Sequence, residues 1–247
     1  FFLVADPVFC PLTTNLPSNF ICKLQYLDLS MASISPFGLA TFLNFCKFLK
    51  KLSLENCHLN NNCCSAIAEN VDLEVLNLTM CIGLTTSGID SIFTNCRRLD
   101  IVFFFFLLSG HVINFLIFNK FILICYSLQA LNISWTGLSV PSLNLIACKV
   151  PSKLERLNIS GSKKHLTNER KYNLLFKYII LLNKGGRGLK INKFSFWISD
   201  VIEIFHRCEN LIELDVSDSI ELTDQVINFI VKYVKRIEYL SFQDVIP

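Results

Sequence analysis

The 247 residues suffice for one large domain. Of these 52% are hydrophobic and only 17% charged, an apolar balance that raises the question of a membrane segment. Eleven cysteines, an odd number, argue against a simple disulfide framework; no Cys-x-x-Cys pair occurs, and adjacent Cys63 and Cys64 are poor zinc-finger spacing. The thiols therefore read as small buried apolar groups in a reducing compartment.

Residues 1–23 form an N-terminal remnant. Phe1 to Val4 are apolar, but Asp6, Pro7 and Pro11 follow and no basic leader precedes them, so no secretory signal is expected. A chain opening on Phe1 is expected to be a fragment or an incomplete gene model. From Leu24 a pattern sets in: Leu24-Gln-Tyr-Leu27-Asp-Leu29-Ser30, then Leu49-Lys-Lys-Leu52-Ser-Leu54-Glu55, then Leu73-Glu-Val-Leu76-Asn-Leu78-Thr79. It returns as Leu128-Gln-Ala-Leu131-Asn-Ile133-Ser134, Leu154-Glu-Arg-Leu157-Asn-Ile159-Ser160 and Leu211-Ile-Glu-Leu214-Asp-Val216-Ser217. A degraded copy, Arg236-Ile-Glu-Tyr-Leu240-Ser-Phe242, comes last.

The second leucines stand at 27, 52, 76, 131, 157, 214 and 240, with intervals of 25, 24, 55, 26, 57 and 26. Four intervals fall within the ~20–29 residue period of leucine-rich repeats, and two are too long by about one repeat. Between strands lie apolar stripes at i, i+3, i+4, i+7, the signature of one helix face. Clear copies are Leu39, Phe42, Leu43, Cys46; Ile89, Ile92, Phe93, Cys96; Val201, Ile204, Phe205, Cys208; and Ile227, Ile230, Val231, Val234. Weaker ones are Cys64, Ile67, Ala68, Val71 and Leu143, Ile146, Ala147, Val150. The expected fold is α/β: a leucine-rich-repeat solenoid over 24–247, about seven repeats, with a curved parallel sheet and outer helices sharing one core.

The two long intervals hold segments that read as insertions outside this pattern, 101–129 and 170–199. Together they contain no Asp or Glu and eight Lys or Arg, which leaves the rest of the chain with 15 basic and 20 acidic residues. Removing each restores the period, to 26 and 27. Phe, Ile, Leu, Asn, Lys and Tyr make up 43 of the 59 residues, all with A- and T-rich codons, as translated introns would have. The alternative for 101–118 is a membrane-spanning helix, eighteen uncharged residues being just long enough. A true loop insertion is a third reading, although loops are rarely so apolar.

Three cysteines precede strands as Cys-x-x-Leu: Cys46, Cys96 and Cys208. Leu84-Thr85, Leu166-Thr167 and Leu222-Thr223-Asp224 open helices. These features resemble the cysteine-containing class of leucine-rich repeats typical of F-box/leucine-rich-repeat proteins. The resemblance covers 24–100, 130–169 and 200–247. It implies a substrate-recognition module of an SCF-type cullin–RING ubiquitin ligase, acting in the nucleus or cytoplasm, with the adaptor and cullin as partners only if an F-box lies upstream. The stretch before Leu24 leaves no room for one. A leucine-rich-repeat scaffold or inhibitor without an F-box, and a membrane-anchored receptor, remain as alternatives.

Strand residues flanking the leucines point away from the core. They predict a concave protein-binding face of Tyr26, Asp28, Ser30; Lys51, Ser53, Glu55; Val75, Asn77, Thr79; Asn132, Ser134, Trp135; Arg156, Asn158, Ser160; and Glu213, Asp215, Ser217, Asp218. Trp135 reads either as an aromatic anchor or as a residue packed in the sheet. Glu213, Asp215 and Asp218 suit a basic partner segment, or form a solvated face. Asn77, Asn132 and Asn158 head glycosylation sequons, but all three fall at one repeat position, which explains them without glycans.

No enzyme motif is present. His58, His111, His165 and His206 stand apart from any nucleophile or metal-ligand spacing, and Gly185-Gly-Arg-Gly188 lacks the Lys-Ser/Thr of a phosphate loop. No metal, cofactor or catalytic residue is expected. The acidic repeat body argues against nucleic acid.

Overall fold

In a computed structural model of the chain, the described residues are 21–104, 121–136, 146, 148–161, 204–217, 228, 232 and 236–241. Eight three-residue strands follow one another: β1 (Tyr26–Asp28), β2 (Lys51–Ser53), β3 (Val75–Asn77), β4 (Ile101–Phe103), β5 (Ala130–Asn132), β6 (Arg156–Asn158), β7 (Glu213–Asp215) and β8 (Tyr239–Ser241). They make a single open, all-parallel sheet in sequence order. Three helices lie between the first four strands: α1 (Pro36–Leu43), α2 (Asn61–Ala68) and α3 (Thr86–Asn95). Parallel neighbours need such crossovers, and strand–helix units stacked in register give a solenoid-like repeat.

The register follows from the repeat. Leu27, Leu52, Leu76, Val102, Leu131, Leu157, Leu214 and Leu240 stand side by side at the middle of successive strands. The six inner ones are buried on the helix side, and the two end ones are partly buried against the same core. A one-residue slip would turn this row outward, which is why short strands hold their pairing.

Each helix starts where the sequence offers a cap. Ser35 Oγ accepts from Gly38 N at 3.1 Å, Asn60 Oδ1 from Cys63 N at 3.0 Å, and Thr85 Oγ1 from Gly88 N at 3.1 Å. Thr85 is the Leu-Thr position expected to open a helix; the two later copies lie outside the described residues. The stripes face inward at Leu39, Leu43, Cys46, at Ile89, Ile92, Phe93, Cys96, and at Ile204, Phe205, Cys208. Val71 departs from its stripe: it is exposed, and Asn70 is buried instead. Asn70 occupies the place that cysteine takes in Cys46, Cys96, Cys125 and Cys208, three residues before a leucine. Its Oδ1 accepts from Leu49 N at 2.9 Å and its Nδ2 donates to Ala66 O at 3.2 Å, so a buried amide serves where a thiol serves elsewhere.

Among the described residues the sheet has eight strands, one more than the seven copies of the leucine motif. The additional strand is β4, at the head of the segment taken as an interruption. It pairs with β3 through Val75↔Ile101 and with β5 through Ile101↔Ala130. Leu99, Val102, Phe104, Phe121, Ile122, Cys125 and Leu128 are all buried, with Phe93 and Phe121 stacked at 4.0 Å between centroids. Residues 121–124 form a helical turn. The physical reason is that Leu99-x-x-Val102-x-Phe104 places apolar side chains where the repeat places leucines, and the core accepts any apolar residue of fitting size. This also overturns the start of a membrane span at 101, since 101–104 are strand and core. No helix among the described residues is long and apolar enough to cross a membrane. The second interval behaves differently: β6 and β7 are hydrogen-bonded neighbours, Leu157↔Leu214, although 57 residues separate them. Residues 170–199 lie outside the described residues.

The cysteines form internal rungs. Cys57 Sγ donates to Leu29 O at 3.2 Å, and Cys81 Sγ to Leu54 O at 3.0 Å, each reaching the preceding turn. Burial pushes the thiols of Cys46, Cys64, Cys81, Cys96, Cys125 and Cys208 up to about 12. They are protonated hydrophobes, not nucleophiles.

Candidate binding face

The sheet face away from the helices carries three rows of side chains, one step apart per strand. The first row runs Tyr26, Lys51, Val75, Ile101, Ala130, Arg156, Glu213, Tyr239. Tyr26, Lys51, Arg156, Glu213 and Tyr239 are exposed, Val75 and Ile101 half-buried, and Ala130 buried. Lys51 Nζ sits 5.3 Å from the centroid of the Tyr26 ring, a cation over an aromatic face.

The second row is Asp28, Ser53, Asn77, Phe103, Asn132, Asn158, Asp215, Ser241. Its Asp and Asn residues close the strand ends. The carboxylate or amide oxygen of Asp28, Asn77, Asn132, Asn158 and Asp215 accepts from the backbone N–H two residues on, at 2.9–3.1 Å. Asn77 Nδ2 also donates to Ser53 Oγ at 3.1 Å, and Asn158 Nδ2 to Asp215 Oδ2 at 3.2 Å. The three sequon asparagines are thus strand caps, and the Ser or Thr of the triplet supplies the capped N–H.

The third row, Ser30, Glu55, Thr79, Ser134, Ser160 and Ser217, recedes from solvent. Ser134 is only 4% exposed and Ser160 only 7%, with both hydroxyls donating to their own Asn Oδ1 at 2.8 Å. These two are therefore corrected from presented groups to buried structural ones. Ser30 and Ser53 hydroxyls meet at 2.7 Å, as do those of Ser217 and Ser241 at 2.6 Å.

After this row the chain turns through a left-handed residue: Met31, Asn56, Met80, Trp135 and Gly161 all have φ between 56° and 72°. Trp135 is one of these turn residues, so it stands beyond the end of its strand. Its ring lies over Gly161, where a Cβ would come 2.3 Å from Trp135 Cδ2, and 37% of the residue remains exposed. Asp218, at the corresponding position of the sequence repeat, lies outside the described residues.

Over β4–β8 the face deepens into a cavity of about 220 Å³ with Phe103, Ala130, Arg156, Glu213 and Tyr239 around it. Arg156, Asn158, Glu213 and Asp215 were expected on the face; Ile101, Phe103, Ala130 and Tyr239 were missed. Leu99-x-x-Val102-x-Phe104 followed by Cys125-x-x-Leu128 would have located the first two. Ala130 and Tyr239 sit inside copies of the repeat that the sequence already displays. Among the described residues no three His, Cys, Asp or Glu side chains come together as a metal would need.

No protein-family model matches the chain. Among solved structures the chain is similar to one from the yeast complex of Rad7 and Elc1, at 14% identity and a TM-score of 0.37 over 97% of this chain and 72% of that one. At that score the fold description rests on the sheet and its register instead. The class defined by the sheet is an α/β protein of stacked strand–helix units that presents one broad sheet face.

Proposed function

We propose that the chain is the substrate-recognition part of an F-box/leucine-rich-repeat receptor of an SCF-type cullin–RING ubiquitin ligase, its repeats being of the cysteine-containing leucine-rich type. The observation that carries the reading is the strand series, in order: Asp-Leu-Ser at 28–30, Ser-Leu-Glu at 53–55, Asn-Leu-Thr at 77–79, Asn-Ile-Ser-Trp at 132–135, Asn-Ile-Ser-Gly at 158–161 and Asp-Val-Ser-Asp-Ser at 215–219. That order resembles, more narrowly, the S-phase-kinase-associated F-box protein. The sheet supports the reading by setting these triplets side by side as one face with a cavity over β4–β8. A partner protein binds there, and the chain contributes no chemistry of its own; ubiquitin transfer belongs to the ligase it joins, in the nucleus or cytoplasm.

The test is co-purification. A full-length clone is expected to bring down the cullin adaptor, whereas the repeats of 24–247 expressed alone are not. A full-length product that leaves the adaptor behind supports the second reading, a repeat scaffold or inhibitor. Residues 170–199 are a translated intron in this proposal, so amplified messenger RNA across codons 160–210 is expected to lack them. For 101–129 the place of β4 in the sheet weighs against that origin.

A further inference from the structure

The cavity over β4–β8 has a definite chemistry along its floor. At its β4 side stand Phe103 and, one strand on, Ala130, the smallest residue of the first row, so the floor drops between Ile101 and Arg156. At its β8 side stands Tyr239, 55% exposed. Between them Arg156 and Glu213 are register partners on adjacent strands, both exposed, yet they form no ion pair. Asp215, one row over, is held by Asn158 Nδ2 and Ser217 N, so its carboxylate is fixed in place. One end of the cavity is thus apolar and the other pairs a carboxylate with an aromatic ring.

We propose that this cavity takes an extended peptide segment of a partner protein bearing an apolar side chain and, two or three residues from it, an arginine or lysine. The proposal rests on the reading of this face as a protein-binding surface. The apolar side chain fills the drop over Ala130 beside Phe103, and the cation lies between Glu213 and the Tyr239 ring. Lys51 over Tyr26 shows the same cation–aromatic contact at the opposite end of the row. Spacing sets the interval. Ala130 and Glu213 are two strands apart, about 10 Å at ~4.8 Å per strand, which an extended chain at ~3.3 Å per residue crosses in about three residues. Arg156 lies one strand nearer and repels a cation, so a basic residue placed directly beside the apolar one is rejected. The carboxylates at the far end complement the cation that clears it.

The test uses the full chain and an array of synthetic eight-residue peptides, each with one leucine and one arginine in a Gly-Ser background, the interval varied from one residue to five. Binding is expected to peak at two or three. It should fall about tenfold in Glu213→Lys, and return when that variant meets the peptide with glutamate in place of arginine. Glu213 is exposed, so the variant keeps its fold; Glu213→Gln, with a smaller loss, guards against an artefact of charge reversal. Preference for glutamate over arginine in the unaltered chain overturns the proposal. So does binding that Lys51→Glu abolishes and Glu213→Lys leaves intact, although the face then still binds protein. Peptide binding indifferent to every face substitution overturns both this proposal and the face itself, whereas adaptor co-purification bears on the ligase reading alone.

Discussion

The two over-long intervals look alike in the sequence and end differently in the fold. Both are free of acidic residues and about one repeat in excess, although 101–129 carries one Lys or Arg and 170–199 carries seven. Yet 101–129 begins with a strand inserted between β3 and β5, while β6 pairs directly with β7 across the interval that holds 170–199. The difference lies in phase. Leu99, Val102 and Phe104 continue the Leu-x-x-Leu-x-Leu spacing, and Cys125-x-x-Leu128 restarts it, so each new side chain meets the core row at the right height. A solenoid recruits by spacing and volume, not by leucine as such.

The largest effect expected from breaking this comparison is that of deletion. Removing 101–129 takes out β4 and, among the described residues, five further buried apolar side chains, each worth roughly 1.5–3 kcal/mol. Urea unfolding should then show both a lower midpoint and a smaller m-value, since less surface is exposed. Removing 170–199 should leave the m-value and midpoint of the sheet unchanged. An m-value that survives the first deletion, or a gain in midpoint, would return 101–129 to the status of an interruption.

A point substitution sharpens the same contrast. Phe121 is fully buried and stacked on Phe93 of α3, so Phe121→Ala should cost about 3–5 kcal/mol through lost contact and a residual cavity. Stability within 1 kcal/mol of the parent, by the same titration, would show that the segment does not share the core.

These residues also show what the sequence displays and what it hides. Leucine spacing alone gave seven of the eight strands and their register, because a parallel repeat leaves one way to stack. It hid β4, whose Val102 and Phe104 satisfy the packing rule while breaking the letter of the motif. On the face, the alternation of side chains located Arg156, Glu213 and Asp215. It did not reveal that Ser134 and Ser160 turn inward, since their hydroxyls are drawn to the Asn Oδ1 of the strand-end turn. Trp135 was legible as an unusual residue but not as a turn residue, because a left-handed φ at tryptophan follows from repeat position and not from side-chain type.

Asn70 tests whether the first repeats, which match the motif closely, are held by the same devices as the recruited one. Its side chain satisfies Leu49 N in the interior, so Asn70→Ala leaves that donor bare at a cost of about 1–3 kcal/mol. Asn70→Cys, which copies the neighbouring repeats, should cost less. Equal losses would mean that thiol and amide are not equivalent rungs.

The thiols give a pH signature shared by both regions, since Cys96 and Cys125 flank β4 as Cys46, Cys64 and Cys81 line the first repeats. Their folded-state values of about 12 lie above the ordinary 9.0, because burial disfavours the thiolate. The sign is therefore fixed. The stabilisation is complete below pH 9, where thiols are protonated in both states, and is lost as pH climbs from 9 toward 12 and the unfolded chain alone ionises. Urea midpoints should be level from pH 7 to 8.5 and fall steadily above 9, and alkylation of Cys96 or Cys125 at pH 8 should wait on unfolding while exposed Cys148 reacts at once.

The smallest effect is expected where adjacent repeats touch only through exposed side chains. Arg98 Nη1 and Asp72 Oδ1 meet at 2.6 Å across the turns that precede β4 and β3, and Arg236 reaches Asn210 at 2.5 Å in the corresponding place. Arg98 and Asp72 are both mostly exposed, at 67% and 59%. The recurrence gives these contacts the look of a ladder, but solvent screens each rung and long side chains lose freedom in making it. Arg98→Ala should leave the midpoint unchanged in low and in high salt. A clear loss in low salt alone would mean that charge, and not the buried row through Val102, fastens β4 to β3, and the account of why 101–129 joined the sheet would have to be rebuilt on its exposed edge.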